Sequence, residues 1–326
     1  MPDMISIGEA LIDFLSVQKG VSIEETRGFT IAPGGAPANV AGAVAKLGGS
    51  AGFVGKVGGD SFGKMIKNTF SEAGVNTDYL IIDRKVNTTL AFISVKENGE
   101  PDFVFYRNHC GADLALRQDE INEGYINECK ILHFGSISFT GEPLKSTTLK
   151  AIRIAKGAGK LISFDPNLRP SLWDSLRHAK AEIENGLACA DIVKLTDEEL
   201  QFVSGESNLT KGADVILKHG PRIVIVTRGA RSCFYSDGIA AFEVPAYEVD
   251  AVDTTGAGDA FIAGVLFQLI GRIQSGESVF QVERKEAERM IRFAHACGAI
   301  TVTRKGVIPA LPTALEVEEF LKKKGG

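Results

Sequence analysis

Ten residues, Val252-Asp253-Thr254-Thr255-Gly256-Ala257-Gly258-Asp259-Ala260-Phe261, hold the densest chemistry in the chain, running from a polar loop into an apolar helical pattern that continues through Val265 and Leu269. Small residues just before a helix leave backbone N–H groups without partners, and the helix dipole favours negative charge there. Gly256, Ala257 and Gly258 therefore form a candidate seat for a phosphate. Asp259 falls in the first helical turn beside it, where a carboxylate next to a transferring phosphoryl group can accept the proton of an attacking hydroxyl. An acid favoured by the helix dipole accounts for Asp259 alone. It leaves the two glycines, Asp253, Thr254 and Thr255 unexplained.

A second glycine-rich turn, Pro33-Gly34-Gly35-Ala36-Pro37-Ala38-Asn39, also opens a helical pattern. Glycines admit a small polyol close to the backbone, and the Asn39 amide can both donate to and accept from hydroxyls. A helix start with Pro in its first turn explains the same residues equally well. Asp13, Arg107 and Arg169 add polar groups near strand ends, although each taken singly reads as surface charge. Three short matches fail. Gly58-Gly59-Asp60-Ser61-Phe62-Gly63-Lys64 has P-loop spacing, but Met65 stands where a hydroxyl must reach magnesium, so an ordinary strand-to-helix turn is expected. Gly48-Gly49-Ser50-Ala51-Gly52 follows a helix and precedes a strand, the reverse of a nucleophile elbow. Gly256 and Gly258 lack the third glycine of a dinucleotide fingerprint, because Phe261 occupies its place.

These groups need a frame. β-branched apolar runs at 5–7, 52–57, 131–134, 161–164, 192–195 and 223–226 alternate with helical patterns, which predicts βαβ units and a central, mainly parallel sheet flanked by helices. A helix is expected over 37–47, where Val40, Val44 and Leu47 share a face and Gly48 stops it, and another over 61–73, ended by Gly74. Crossovers of this kind put helix N-termini and strand C-termini on one edge, where ligands of open α/β sheets bind. Two alternating runs at 88–95 and 102–106, joined by the hairpin signal Asn98-Gly99, break the rhythm. With 10–17 and 29–32 they are expected to form a small antiparallel sheet, either an ornament or a lid over a ligand.

The 326 residues are 44% hydrophobic and 24% charged, a globular composition that excludes disorder. Net charge −5 with no basic stripe argues against nucleic acid. The richest apolar run, 261–270, is too short to span a bilayer, and Asp3, Glu9 and Asp13 interrupt any signal-peptide pattern, so a cytoplasmic, membrane-free protein is expected. Five scattered cysteines (Cys110, Cys129, Cys189, Cys233, Cys297) form no metal or disulfide framework and read as reduced packing residues. The sequons at Asn87 and Asn208 are then chance matches.

Together the 33–39 turn, the following Gly55-Lys56-Val57-Gly58-Gly59-Asp60-Ser61-Phe62-Gly63 and the Asp253-Thr254-Thr255-Gly256-Ala257-Gly258-Asp259 segment resemble the two signatures of the ribokinase, or PfkB, family of carbohydrate kinases, over essentially the whole chain. Gly8-Glu9-Ala10-Leu11-Ile12-Asp13-Phe14 and Asp165-Pro166-Asn167-Leu168-Arg169-Pro170-Ser171-Leu172-Trp173 most resemble fructokinases, a match that 2-keto-3-deoxygluconate kinases share in large part. The resemblance implies a single ribokinase-like α/β domain over 1–326 with a β-sheet lid over about 10–32 and 88–108, and ATP-dependent phosphorylation of a sugar hydroxyl, D-fructose first among the sugars. It implies Asp259 as base, Gly256, Ala257 and Gly258 as anion hole, and Asp13, Gly34, Gly35, Asn39, Arg107 and Arg169 around the sugar. Thr227-Arg228-Gly229 resembles the nucleotide loop. Thr196-Asp197-Glu198-Glu199 resembles the family's N-x-x-E motif with Thr196 in place of Asn, and Glu199 would organise magnesium through water. Asp253, Thr255, Thr301, Arg304 and Gly306 correspond to loops that hold a potassium ion in ribokinases, and a homodimer would form through the lid. A catalytically silent sugar sensor is the alternative of another class; the retained Asp259 argues against it.

Overall fold

Apolar residues at successive strand positions, with no polar alternation, require a sheet covered on both faces. The computed structural model, which describes residues 1–95, 97, 101–107 and 111–325, has that arrangement. Its described strands are, in chain order, β1 (Met4–Ile7), β2 (Leu11–Ser16), β3 (Phe29–Gly34), β4 (Ala51–Gly58), β5 (Leu80–Asp83), β6 (Leu90–Val95), β7 (Pro101–Tyr106), β8 (Ile131–Gly135), β9 (Leu161–Asp165), β10 (Ile192–Thr196), β11 (Ile223–Thr227), β12 (Ser232–Ser236) and β13 (Ala241–Pro245). Nine form one sheet in the order β13-β12-β11-β10-β9-β8-β1-β4-β5. Every pairing from β5 to β11 is parallel, and β12 and β13 add an antiparallel edge. The six sequence-expected strands of this sheet are present within a residue or two of their expected ends.

Period-two alternation sorts their side chains between two cores. Met4, Ile131, Leu161 and Ile192 join Val40, Val44, Phe261 and Val265 on one face. Ile5, Leu132, Ile162 and Val193 join Phe134, Phe164, Ile183 and Leu187 on the other. Fully burying one such side chain stabilises by about 1.5–3 kcal/mol, and several dozen do so here. The first core is roofed by the helices Ala36–Lys46 and Ala257–Gln274, the latter packed along Arg284–Val302.

The helix Ser61–Glu72 begins where the P-loop lookalike lies. Asp60 caps it, its Oδ1 accepting from Gly63 N at 2.8 Å while Oδ2 accepts from Thr88 N at 2.8 Å. The turn is thus filled by its own carboxylate, as expected of a plain strand-to-helix connection.

The other four strands form a second sheet, in the order β3-β2-β6-β7. β2 pairs β3, and β6 pairs β7, antiparallel as expected, but β2 and β6 run parallel, Asp13 opposite Ala91. This corrects the all-antiparallel expectation. The reason is connectivity: β2 and β6 each lead a hairpin away from the main sheet, so they leave it in the same direction. The Asn98-Gly99 turn and Cys110 fall outside the described residues; Cys129, Cys233 and Cys297 are buried and Cys189 partly so, all free thiols.

Candidate functional site

The C-terminal edge of the parallel strands gathers most of the singled-out residues. Gly256 adopts φ 77°, a left-handed conformation that favours glycine, and starts the Ala257–Gln274 helix with no side-chain cap. Ala260 N is bonded to Gly256 O at 2.8 Å and Ala257 N turns back to Thr254 O at 3.3 Å. The N–H groups of Gly258 and Asp259 have no such backbone partner. Asp259 is buried there and accepts a hydrogen bond at Oδ2 from Asn39 Nδ2 at 2.8 Å. The two glycine turns, distant in sequence, are thereby joined. Burial pushes the Asp259 carboxyl up to about 6; the Asn39 bond, Lys194 and Arg169 oppose the rise, and Asp165 adds to it.

Two residues that sequence analysis did not single out as site groups lie directly beneath. Lys194, in the middle of apolar β10, places its ammonium 2.9 Å from Asp165 Oδ2 at the end of β9, and both side chains are buried. A Cβ on Gly258 would lie 3.1 Å from Lys194 Nζ, so this cation sits against the anion seat. Burial disfavours the charge on Lys194, but Asp165 and Glu199 outweigh it and raise its pKa. The signal was present as a lysine inside a strand otherwise buried on both faces; its partner was not, since only the register of β9 and β10 sets Asp165 beside it. Asp165 Oδ1 is buried without a partner.

Glu199 belongs to the helix Asp197–Ser204, which Thr196 caps in a reciprocal box: Glu199 N donates to Thr196 Oγ1 and Thr196 N donates to Glu199 Oε2. Its Oε1 accepts from Leu168 N at 2.7 Å. Each carboxylate oxygen thus accepts from one backbone N–H. Thr196 pairs with Thr227 across β10 and β11, so Thr196, Thr227, Arg228 and Gly229 form one rim. Arg228 is tied to Glu243 at 2.9 Å and, more loosely, to Asp197 at 3.7 Å.

On the opposite side, Asp13 lies over Gly34 so closely that a Cβ there would be 2.0 Å from Asp13 Oδ2. Gly35 has φ 106°, and a Cβ on it would meet Glu9 O at 2.5 Å, so this turn admits only glycine. Burial drives the Asp13 carboxyl up to about 7, against the pull of Arg169 and with the push of Asp259 and Asp253. Asp13, Asp253, Asp259 and Arg169 thus share one electrostatic neighbourhood. Arg107 makes its side-chain hydrogen bonds to Asp113, Thr140 and Ile137: its Nε donates to Asp113 Oδ2 at 2.7 Å, and its two terminal nitrogens donate to Thr140 and to Ile137 O.

The 253–306 contact is a loop-to-loop seam. Val252 N and Asp253 N donate to Val302 O, and the Asp253 carboxylate accepts from Thr255 N at 3.0 Å and Gly306 N at 3.3 Å. The Thr301 hydroxyl donates to Cys297 O, and the Arg304 guanidinium turns to Glu316 and Ala310 O.

Glu9, another residue not singled out beforehand, is fully buried with Oε1 accepting from Ala36 N at 3.2 Å and Oε2 unpartnered. Burial raises its pKa from 4.5 to about 7. Because the folded protein holds this proton more tightly than the unfolded chain, the stability Glu9 contributes is complete below about pH 4.5 and is lost as pH rises through about 7. Glu9→Gln is therefore expected to stabilise at pH 8 by about 1–3 kcal/mol and to be near neutral at pH 4.5, checked by urea unfolding at both pH values. Equal effects at the two would show that Glu9 is not protonated in the folded state.

Comparison with known proteins agrees with this geometry. The chain matches the model of the pfkB family carbohydrate kinase across residues 1–314. It is 44% identical over 320 residues to the probable fructokinase-2 of Arabidopsis thaliana, covering 98% of this chain and 95% of that one. Among solved structures it is similar to fructokinase with bound ATP from Xylella fastidiosa (TM-score 0.90, 33% identity, 100% of both chains). It is also similar to a fructokinase double mutant from Vibrio cholerae O395 in fructose, ADP and potassium ion bound form (TM-score 0.85, 30% identity, 98% of both chains). A glycine-started helix carrying a buried aspartate at the C-terminal edge of a ribokinase-like sheet, matched end to end by such relatives, leaves one assignment: this chain belongs to the pfkB family of carbohydrate kinases.

Proposed function

We propose that this chain is an ATP-dependent fructokinase, transferring the γ-phosphoryl group of ATP to a terminal hydroxyl of D-fructose with Asp259 as general base. The observation that carries this reading is the Asp259 carboxyl itself, buried beside the backbone N–H groups of Gly258 and Asp259 and raised only to about 6, so that it is ionised at pH 7 and able to take a proton. The anion seat formed by Gly256, Ala257 and Gly258, with Lys194 against it, supplies positive potential where charge develops on the transferring group. Asn39 orients Asp259. Asp13, Gly34, Gly35, Asn39 and Arg169 line the sugar, with Arg107 bracing their support.

A metal fits the donors present. Among the described residues no group of three or more His, Cys, Asp or Glu side chains gathers as a metal cage. Magnesium characteristically keeps several waters and rests on substrate phosphates. The unpartnered Asp165 Oδ1 and the Glu199 carboxylate would suit that outer role. Magnesium bound with ATP would neutralise phosphate charge. Thr196, Thr227, Arg228 and Gly229 would flank the nucleotide. Asp253 and Thr255, with carbonyls of Thr301, Arg304 and Gly306, would hold a potassium ion.

The small sheet, residues about 10–32 and 88–108, acts in this reading as a lid on a single domain, excluding water that would otherwise hydrolyse ATP. Exposed Ile31, Val104 and Tyr106 support a homodimer through its outer face, and the free thiols fit a cytoplasmic setting. No helix among the described residues is long and apolar enough to cross a membrane.

Fructose is favoured over a sugar acid or sugar phosphate because Asp13 lies within reach of the charges of Asp259 and Asp253 as well as Arg169, while Arg107 is engaged by Asp113. An added anion would meet net repulsion. A coupled ADP-release assay over D-fructose, 2-keto-3-deoxygluconate, ribose and fructose 6-phosphate is expected to give the highest kcat/KM for fructose, by ~10-fold or more, with turnover stopped by excess chelator. Preference for either anionic sugar overturns the fructose assignment, and full activity in chelator overturns the magnesium requirement.

A further inference from the structure

The helix that carries Asn39 is fastened from outside itself. Its N-cap is Gly35, which offers no side chain, and Pro37 in its first turn has no N–H to donate. The N–H of Ala36 is taken by Glu9, whose Oε1 accepts it at 3.2 Å from 27 residues back in the chain. Glu9 meets the same turn a second time, since a Cβ on Gly35 would lie 2.5 Å from Glu9 O. The residue stands between the end of β1 at Ile7 and the start of β2 at Leu11, and Leu11 pairs with Gly34. Glu9 thus ties the glycine turn to the main sheet. One helical turn further on, Asn39 N donates to Gly35 O at 2.8 Å, and Asn39 Nδ2 donates to Asp259 Oδ2 at 2.8 Å. The Ala36–Lys46 and Ala257–Gln274 helices pack together, so where the first of them starts decides how the Asn39 amide meets the Asp259 carboxylate.

We propose that Glu9 is a positioning residue for the transfer step: its carboxyl group fixes the first turn of the Ala36–Lys46 helix and thereby holds the Asn39 amide where it aims the Asp259 carboxylate at the attacking hydroxyl. This rests on the kinase reading above, which makes Asp259 the base. Glu9 acts on that base through Asn39. The physical ground is that proton transfer depends on placement as steeply as on charge, a displacement of about 1 Å costing on the order of 10²-fold in rate. The Asn39 bond has a second effect. Burial raises the Asp259 pKa and Asp165 adds to the rise, while the Asn39 bond, Lys194 and Arg169 oppose it. A slackened Asn39 bond therefore moves the acid limb of the pH profile upward.

The test is a double-mutant cycle on kcat of the full chain, with Mg·ATP and the sugar of highest kcat/KM in the ADP-release assay. Glu9→Met keeps the length of the side chain without its acceptor and is expected to lower kcat by about 10-fold, with KM for ATP within about twofold of wild type. Glu9→Gln keeps an acceptor for Ala36 N and is expected to stay within about threefold of the wild-type rate. In an Asn39→Ala background, Glu9→Met is expected to cost less than about twofold more, because the group through which it acts is gone. The acid limb of kcat/KM should move to higher pH in Glu9→Met and stay in place in Glu9→Gln. A general folding defect would cost as much in both backgrounds and leave the limb where it was. Circular dichroism checks the fold of each variant, and Glu9→Ala replaces Glu9→Met in the cycle if the latter does not fold. A full loss from Glu9→Met in both backgrounds, a wild-type rate in Glu9→Met, or a Glu9→Gln variant as slow as Glu9→Met overturns the positioning role and leaves the kinase reading standing. Wild type that releases no ADP with any of the sugars overturns the reading on which that role rests.

Discussion

Asp259→Asn is expected to lower kcat by ~10² to 10⁴ while leaving folding and ligand affinity within about threefold of wild type. The amide keeps the size of the carboxyl and can still meet Asn39, but it cannot accept the proton of the attacking hydroxyl. The same carboxyl sets the acid limb of the pH profile. Its folded-state pKa of about 6 means that the ionised, competent fraction falls tenfold per unit as pH drops below 6, so wild-type kcat/KM should decline on that limb. The residual activity of the variant should lack it. Stopped-flow measurement of the ADP produced, across pH 5–8, reads both effects. Near-normal kcat in the variant would reduce Asp259 to a residue that merely suits the helix dipole.

Lys194→Met is expected to destabilise the protein by about 3–5 kcal/mol, the cost of leaving a buried carboxylate without its counter-charge. Asp165 Oδ2 loses its partner at 2.9 Å, and Oδ1 has none to begin with. Both side chains are buried. The double variant Asp165→Asn, Lys194→Met should recover much of the stability, since two neutral groups of similar size no longer oppose burial. It should not recover kcat, because the charge lost lies against Gly258 at the anion seat. Urea unfolding of both variants with parallel rate assays separates the roles. A loss of stability below about 1 kcal/mol in the single variant would mean that Lys194 is not the counter-charge that burial of Asp165 requires.

Much of this molecule was legible in one dimension because the relevant physics is local or periodic. Runs such as 192–195 and 223–226, apolar on both faces, demand a covered parallel sheet, and the glycine turns before two helices demand free N–H groups at its edge. Asp259 could be singled out for the same reason, since its place in the first turn follows from the spacing 256–259. Tertiary structure decided what those residues face. Asn39 reaches Asp259 across 220 residues of sequence, and Lys194 reaches Asp165 across 29. Arg107, expected at the sugar, is committed to Asp113 and Thr140, and β2 and β6 lie parallel where their hairpins alone suggested otherwise. The carboxyl of Asp13 is protonable near pH 7 only because burial and the charges of Asp259 and Asp253 act on it together. Burial and Coulomb terms sum over neighbours that chain spacing does not encode, so the sequence determined the family, the sheet and the place of Asp259 in its helix, while the folded chain alone determined the charge state and partners of the groups around it.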